Sequence, residues 1–138
     1  MNTKSATTNK LSIGDTASVT KTFAREDVLR FAEISGDANQ IHVDENYAKN
    51  HMFGKCVVHG MLVASLFSGL LGQQLPGEGS VYLGQNLKFR APVFIGDTVT
   101  ATVEITSIRE DKPIVTLKTI CKNQDGVTVI EGEAVIKI

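Results

Sequence analysis

Hydrophobic and polar residues follow two different periods along the chain. Residues 24–34 place Val28, Leu29 and Ile34 on one broad apolar face, which predicts an amphipathic helix capped by Gly36. Near the start of the chain, and again from Val81 onward, apolar and polar residues alternate with the period of two that half-buried strands show. We therefore predict strands over residues 16–23, 81–90, 99–106, 114–122 and 127–138.

The segments between these elements are polar and irregular. Asp125-Gly126 predicts a tight hairpin turn in which both residues have positive φ. Residues 37–58 show no sustained period, and within them we predict only one short helix, over residues 45–49.

The longest stretch without a charged residue runs from Cys56 to Gly77. Its continuously apolar part is only Met61–Leu71, and two serines and a glycine interrupt that part. A bilayer crossing needs about 20 mostly apolar residues, and a shorter stretch is more typical of a core helix. We predict a helix over residues 59–73 that is buried on nearly all sides.

A helix that is apolar on every side requires a sheet that curves around it. Together with the four strands that follow, this requirement predicts an α+β fold, in which an antiparallel sheet wraps around one long central helix. No internal repeat or linker divides the sequence. We therefore expect residues 1–138 to form a single domain, with residues 1–10 frayed.

Composition limits the possible partners. The chain of 138 residues carries 14 basic and 15 acidic side chains, for a formal net charge of −1. This balance provides no general field for nucleic acid or an anionic membrane, so an anionic ligand must be held by a local patch. The polar N-terminus lacks the apolar core of a signal peptide, and we expect a cytoplasmic protein.

The segment Ser35–His42 is the richest in candidate chemistry. It places the carboxylate of Asp37 and the imidazole of His42 five residues apart, in a loop that follows a helix. Such a loop can fold back so that both groups activate one water by general acid–base catalysis, with Asn39 fixing the loop. The alternative is structural: Asp37 and Asn39 cap a turn, and His42 is an ordinary loop histidine.

A second candidate lies at the start of the central helix, in His59-Gly60-Met61. A helix N-terminus exposes backbone N–H groups with partial positive charge, and Gly60 has no side chain to block a close approach. A well-aimed donor of this kind stabilises an oxygen that gains negative charge by about 3 kcal/mol. Alternatively, Gly60 only relieves crowding where the helix meets the sheet.

Together these segments resemble the MaoC-like (R)-specific enoyl-CoA hydratases, the hydratase 2 family. The segments His59–Met61 and Ala91–Asp97 are similar as well, and the resemblance is closest to the short, single-domain bacterial form. One departure is Gln40, where the family usually has a proline that would stiffen the loop. The residues that match the hydratase-2 motif in order and spacing are Phe31, Ile34, Ser35, Gly36, Asp37, Asn39, Ile41, His42 and Ala48.

The resemblance implies a hot-dog fold, a homodimer, and hydration of trans-2-enoyl-CoA to (R)-3-hydroxyacyl-CoA, linking β-oxidation to polyhydroxyalkanoate monomer supply. It also implies that Asp37 and His42 activate the water, while the backbone N–H of Gly60 stabilises the enolate-like thioester oxygen. Asn39 and His59 would support the site. The resemblance implies neither a metal nor a cofactor, because coenzyme A is part of the substrate. It leaves open which of Asp37 and His42 protonates the α-carbon.

The hot-dog fold that the resemblance implies suggests where an acyl-CoA would lie. Candidate walls of the acyl pocket are Ser68, Leu71 and Ile136, which predict a short to medium acyl chain. Alternatively, Leu71 and Ile136 are ordinary core residues. Candidates for binding the coenzyme phosphates are Lys55, Lys88 and Arg90. Alternatively, these three are solvated surface charges.

Two other functions compete with hydration. A hot-dog acyl-CoA thioesterase would typically carry an acidic residue on or just before the central helix, but residues 60–74 contain neither Asp nor Glu. A non-catalytic acyl-CoA-binding protein would not need the pair of Asp37 and His42. We therefore expect an enzyme, and specifically a hydro-lyase.

Overall fold

Five antiparallel strands and four helices make up residues 11–138, the part of the chain that the computed structural model describes. The prediction that residues 1–10 are frayed lies outside this part. In chain order the elements are β1 (Thr16–Thr22), α1 (Arg25–Ser35), α2 (Gln40–Val43), α3 (Glu45–Lys49), α4 (Gly60–Gln73), β2 (Val81–Phe89), β3 (Thr98–Ile108), β4 (Ile114–Lys122) and β5 (Thr128–Lys137).

The five strands form one sheet in the order β1-β3-β4-β5-β2, and α4 packs against one face of it. This arrangement confirms the predicted α+β class, with a central helix on an antiparallel sheet. Alternate residues of β3, β4 and β5 point toward the helix and are buried, as the period of two requires. The helix contributes to the same core through Val63, Phe67, Leu70 and Leu71.

The central helix is less enclosed than its composition predicts. Met61 is 59% exposed, and Ser65 and Ser68 are also exposed, so one face of α4 lies open in the single chain. The physical reason is that the sheet covers the helix from one side only. No helix within residues 11–138 is long and apolar enough to cross a membrane.

Helix α1 also buries a narrower face than predicted. Val28 and Ala32, four residues apart, are its buried positions, whereas Ile34 is 84% exposed and Leu29 is 44% exposed. The helix therefore contacts its neighbours through one stripe rather than a broad face. Gly36 caps it as predicted, with φ of 79° and its N–H donating to the carbonyl of Ala32.

The predicted two-residue turn at Asp125-Gly126 is wrong in detail. Gly126 has a φ of 76°, but no other residue type has positive φ within residues 11–138. The connection is longer because Asn123 closes it: its N–H donates to Val127, and its side-chain oxygen accepts from Asp125 and Val127. A turn with one positive φ then suffices.

Strands β2 and β5 approach each other unusually closely at Gly132. A Cβ built at this position would fall well inside van der Waals contact of the backbone oxygen of Asn86, which belongs to the neighbouring strand. Backbone cannot move aside as a flexible side chain can. Only glycine therefore allows β2 to join the sheet with this geometry.

We expect Gly132→Ala to destabilise the protein by about 3 kcal/mol, because the added methyl group forces two paired strands apart. Gly84→Ala on β2 is the matched control, since nothing lies within 4 Å of a Cβ there. Urea unfolding of both variants measures the difference. Equal unfolding free energies would contradict the close approach of β2 and β5.

Candidate active site

The loop between α1 and α2 is fixed by its own side chains. The Asp37 N–H donates to Ser35 Oγ at 3.0 Å, and Asp37 Oδ1 accepts from the Asn39 N–H at 3.2 Å. Asn39 Oδ1 in turn accepts from the Ile41 N–H at 3.1 Å and caps α2, a helix that the sequence analysis missed. Gln40 is the first residue of α2, the position where proline is also tolerated, and the cap is made without proline.

The side chains of Asp37 and His42 lie close enough for one water to bind beside them and bridge both. Their Oδ2 and Nε2 atoms lie 3.9 Å apart, too far for a direct hydrogen bond. His42 Nδ1 lies 2.7 Å from the carbonyl oxygen of Val57, which can only accept, so Nδ1 carries a proton; in the neutral ring, Nε2 is then the nitrogen with the lone pair. Asp37 therefore takes part in the turn through Oδ1, as the structural alternative expects, and its Oδ2 remains available to the cavity.

The imidazole of His59 contacts both Asp37 and His42. Its Nε2 donates to the carbonyl oxygen of Asp37 at 2.8 Å, and its ring stacks on His42 at 3.9 Å with an interplanar angle of 24°. Phe31 packs on the same ring at 4.8 Å. His59 is 2% exposed, and this burial lowers the pKa of its imidazole, so the ring is neutral at pH 7.

The N-terminus of α4 offers free donors beside the pair. The N–H groups of Leu62 and Val63 donate to the backbone carbonyl oxygen of His59. The N–H groups of Gly60 and Met61, which precede them, have no acceptor within residues 11–138. A Cβ on Gly60 would collide with the ring of Phe89. Gly60 therefore relieves crowding as well as presenting a donor.

A cavity of about 640 Å³ joins these groups. Asp37, His42, His59 and Gly60 all line it, which brings the two predicted segments to one site. Several apolar or aromatic residues that line the cavity were not assigned to the site from the sequence, among them Phe53, Phe89 and Pro92. The alternation along β2 indicated that Phe89 lies on the apolar face. Its 54% exposure follows from the position of β2 at the edge of the sheet, which the sequence does not give.

A second cavity of about 560 Å³ lies between α4 and β2. It shares Phe31 and Met61 with the first cavity, so the two adjoin. Ser68 lines the second cavity, but Leu71 and Ile136 are each 1% exposed and line neither. For these two residues the structure agrees with the alternative that they are core.

The three candidate phosphate ligands differ in their surroundings. Arg90 lines the first cavity, but its guanidinium is paired with Glu131 at 2.7 Å, which lowers the pKa of that carboxyl. Lys55 holds its ammonium 4.4 Å from the ring centroid of Phe94, and Lys88 is exposed and lines neither cavity. The structure therefore brings only Arg90 to the site.

Asp37, His42 and His59 also form a possible metal-ligand group, since one atom of each lies within 4.8 Å of the others. The two imidazole rings are nearly parallel, so their in-plane lone pairs run side by side instead of converging on one point. One nitrogen of each ring is also bonded to a carbonyl oxygen. This geometry fits a bound water better than a metal ion.

Comparison of the chain with known proteins identifies a family and relatives of similar length. A family model described as "MaoC like domain" matches residues 5–125. The chain is 54% identical to an (R)-specific enoyl-CoA hydratase of Aeromonas caviae, over 93% of this chain and 96% of that protein. It is 47% identical to an (R)-specific enoyl-CoA hydratase of Rhodospirillum rubrum, over 91% of this chain and 86% of the relative.

A solved structure agrees with this result. The fold matches the (R)-hydratase from A. caviae involved in PHA biosynthesis with a TM-score of 0.92 and 53% identity, over 94% of this chain and 98% of that one. The match establishes the sheet and central helix as a hot-dog fold, as the sequence resemblance implied.

We expect His59 to make stability depend on pH between about 7.5 and 5.5. Its folded pKa is below the usual 6.5, so the unfolded chain binds more protons and stability is lost as pH falls through this window. The slope from one such group is at most about 1.4 kcal/mol per pH unit. Urea unfolding at several pH values should give a flatter curve for His59→Phe than for wild type. Equal slopes in the two proteins would contradict a neutral, buried His59.

Proposed function

We propose, since the chain belongs to the MaoC-like domain family, that it is an (R)-specific enoyl-CoA hydratase. It adds water to trans-2-enoyl-CoA and gives (R)-3-hydroxyacyl-CoA, the monomer precursor of polyhydroxyalkanoates. The observation that carries this proposal is the 3.9 Å separation of Asp37 Oδ2 and His42 Nε2, which one water can bridge from the cavity that also contains the free N–H groups of α4. The (R) configuration rests on the names of the relatives.

The proposed activation of water rests on the two hydrogen-bond acceptors that the pair can present. His42 Nε2 and Asp37 Oδ2 both present lone pairs toward the gap, so a water there can donate one hydrogen bond to each. As the water oxygen bonds to C3 of the substrate, its proton passes to this pair. The pair then returns a proton to the α-carbon on the same face, so H and OH add syn and no net proton is consumed.

Charge stabilisation falls to the helix N-terminus. Attack at C3 moves electrons toward the thioester oxygen, which becomes enolate-like. The N–H of Gly60 is proposed to donate to this oxygen, with the positive end of the α4 dipole behind it. Because these donors carry the developing charge, the proposal includes no metal and no cofactor besides the coenzyme A of the substrate. Asn39 and His59 support the site by fixing the loop and the imidazole.

We place the acyl chain in the second cavity, which adjoins the catalytic cavity at Phe31 and Met61. Ser68 supports this placement because it lines that cavity. Leu71 and Ile136 remain proposed walls, buried behind it. We propose that the enzyme acts on short to medium acyl chains, because neither Ser68 nor Leu71 is among the smallest residues.

The coenzyme is proposed to lie outside the first cavity, near Arg90. Binding of its phosphates there would exchange Glu131 for phosphate as the partner of the guanidinium. Lys55 and Lys88 remain candidates for longer-range contacts. The near-zero net charge makes such a local patch necessary.

We further propose that the enzyme is a cytoplasmic homodimer. Strand β2 lies at the edge of the sheet, and Val81, Leu83 and Phe89 on it are each more than half exposed. The open face of α4 lies next to this edge across the second cavity. A second copy that covers both surfaces would remove an aggregation-prone edge and enclose the acyl chain.

The decisive assay mixes the protein with crotonyl-CoA. We expect loss of the conjugated thioester absorbance without release of free thiol, whereas thiol release would instead identify a thioesterase. The protein's own thiols should not interfere, because Cys56 and Cys121 are buried and burial raises the pKa of Cys121 to about 12.

In the same assay, Asp37→Asn and His42→Ala should each lower kcat by at least about a hundredfold, because each removes one acceptor from the water. The controls Asp111→Asn and His51→Ala change the same residue types outside both cavities and should retain activity. Near-wild-type turnover in either site variant would exclude the proposed mechanism.

Leu71→Ala tests the proposed wall of the acyl pocket. If Leu71 closes the pocket, its truncation should raise the kcat/KM ratio of octenoyl-CoA to crotonyl-CoA by about tenfold. Leu70→Ala is matched in helix, residue type and burial, and should leave this ratio unchanged. Both truncations cost about 2–5 kcal/mol of stability, so folding is checked by thermal unfolding first. Equal ratios would assign Leu71 to the core alone.

A further inference from the structure

A polar strip interrupts the inner face of the sheet beside the second cavity. On β4 the inward residues are Val115, Leu117, Thr119 and Cys121, and Thr119 is fully buried among these apolar neighbours. Gly132 of β5 pairs with Thr119 and adds no side chain. Gln85 of β2, which lines the cavity, therefore reaches across β5 to Thr119, with its Nε2 donating to Thr119 Oγ1 at 2.9 Å.

Gln85 is saturated with hydrogen bonds. Its Nε2 donates a second bond to the backbone oxygen of Asn86 at 2.8 Å, and its Oε1 accepts from the hydroxyl of Tyr82. Both amide protons and the amide oxygen are thus engaged. Moving this side chain would leave the Thr119 hydroxyl unpaired in an apolar surrounding, which is unfavourable.

Tyr82 depends on this network for its position. Its ring lines the second cavity, and its hydroxyl bonds to Gln85. Burial raises the pKa of this phenol, so it remains a proton donor throughout the neutral range. Tyr82 is therefore held to Gln85, and Gln85 is held to the sheet.

We propose that Gln85, anchored by Thr119 and holding Tyr82, is a residue that limits the length of the acyl chain, in addition to the proposed wall at Leu71. This inference rests on the proposed function and on the placement of the acyl chain in the second cavity. A short chain fits without contact with the network. A longer chain must displace Gln85 or Tyr82, and each displacement breaks hydrogen bonds that nothing replaces.

Thr119→Val tests the anchor, because valine keeps the volume and removes the hydroxyl. We expect it to raise the kcat/KM ratio of trans-2-octenoyl-CoA to crotonyl-CoA by about tenfold. Tyr82→Phe should shift the ratio in the same direction. It removes a partly exposed hydroxyl, so this variant should fold even if Thr119→Val does not. In the double variant the two effects should combine to less than their product, since both act through Gln85.

Thr116→Val is the matched control, on the outward face of the same strand and outside both cavities, and should leave the ratio at its wild-type value. The inference is overturned if Thr119→Val and Tyr82→Phe both stay within about twofold of this control. If wild-type protein hydrates no enoyl-CoA of any length, the proposed function fails first and this inference fails with it. Hydration with an unchanged ratio removes the inference alone.

Discussion

The site depends on hydrogen bonds that join the acid loop to the segment before the central helix. His42 donates to the carbonyl of Val57, the N–H of Val57 donates to Ile41, and His59 donates to the carbonyl of Asp37. These bonds connect positions that are 15 to 22 residues apart in the chain. They also set the tautomer of each imidazole, so in its neutral form His42 presents the lone pair of Nε2 and not an N–H toward Asp37 Oδ2.

Local pattern predicted the strands and the longer helices, and it singled out the segment that carries Asp37 and His42. The alternation along β4 predicted its bounds, residues 114–122, because every inward position except Thr119 is apolar. The spacing of Asp37 and His42 indicated a shared loop. The hydrogen bond from His59 to the carbonyl oxygen of Asp37 was not predictable from spacing, because it requires the segment before α4 to fold beside that loop. Helix α2 was missed because four residues are too few to show a helical period.

The remaining differences between predicted and observed burial have one cause. The sequence pattern shows which residues are apolar, but it does not show which surfaces are covered by another part of the protein. Ile34 and Leu29 are apolar yet exposed, and the open face of α4 contains Met61. Conversely, Thr119 is polar yet fully buried, because Gln85 satisfies it across a glycine. Burial of a polar side chain depends on a partner that lies distant in the sequence, so no single-strand pattern can reveal it.

The absence of carboxylates from α4 has an electrostatic consequence for the proposed chemistry. An acidic residue in its first turn would offset the partial positive charge at the helix N-terminus and compete for the free N–H groups. Because the acid of this site is instead on the loop at Asp37, the donors of Gly60 and Met61 remain available for an oxygen of the substrate. In the proposed mechanism, this division of the two tasks between separate segments lets a carboxylate activate water while the partial positive charge of the helix N-terminus stabilises the enolate.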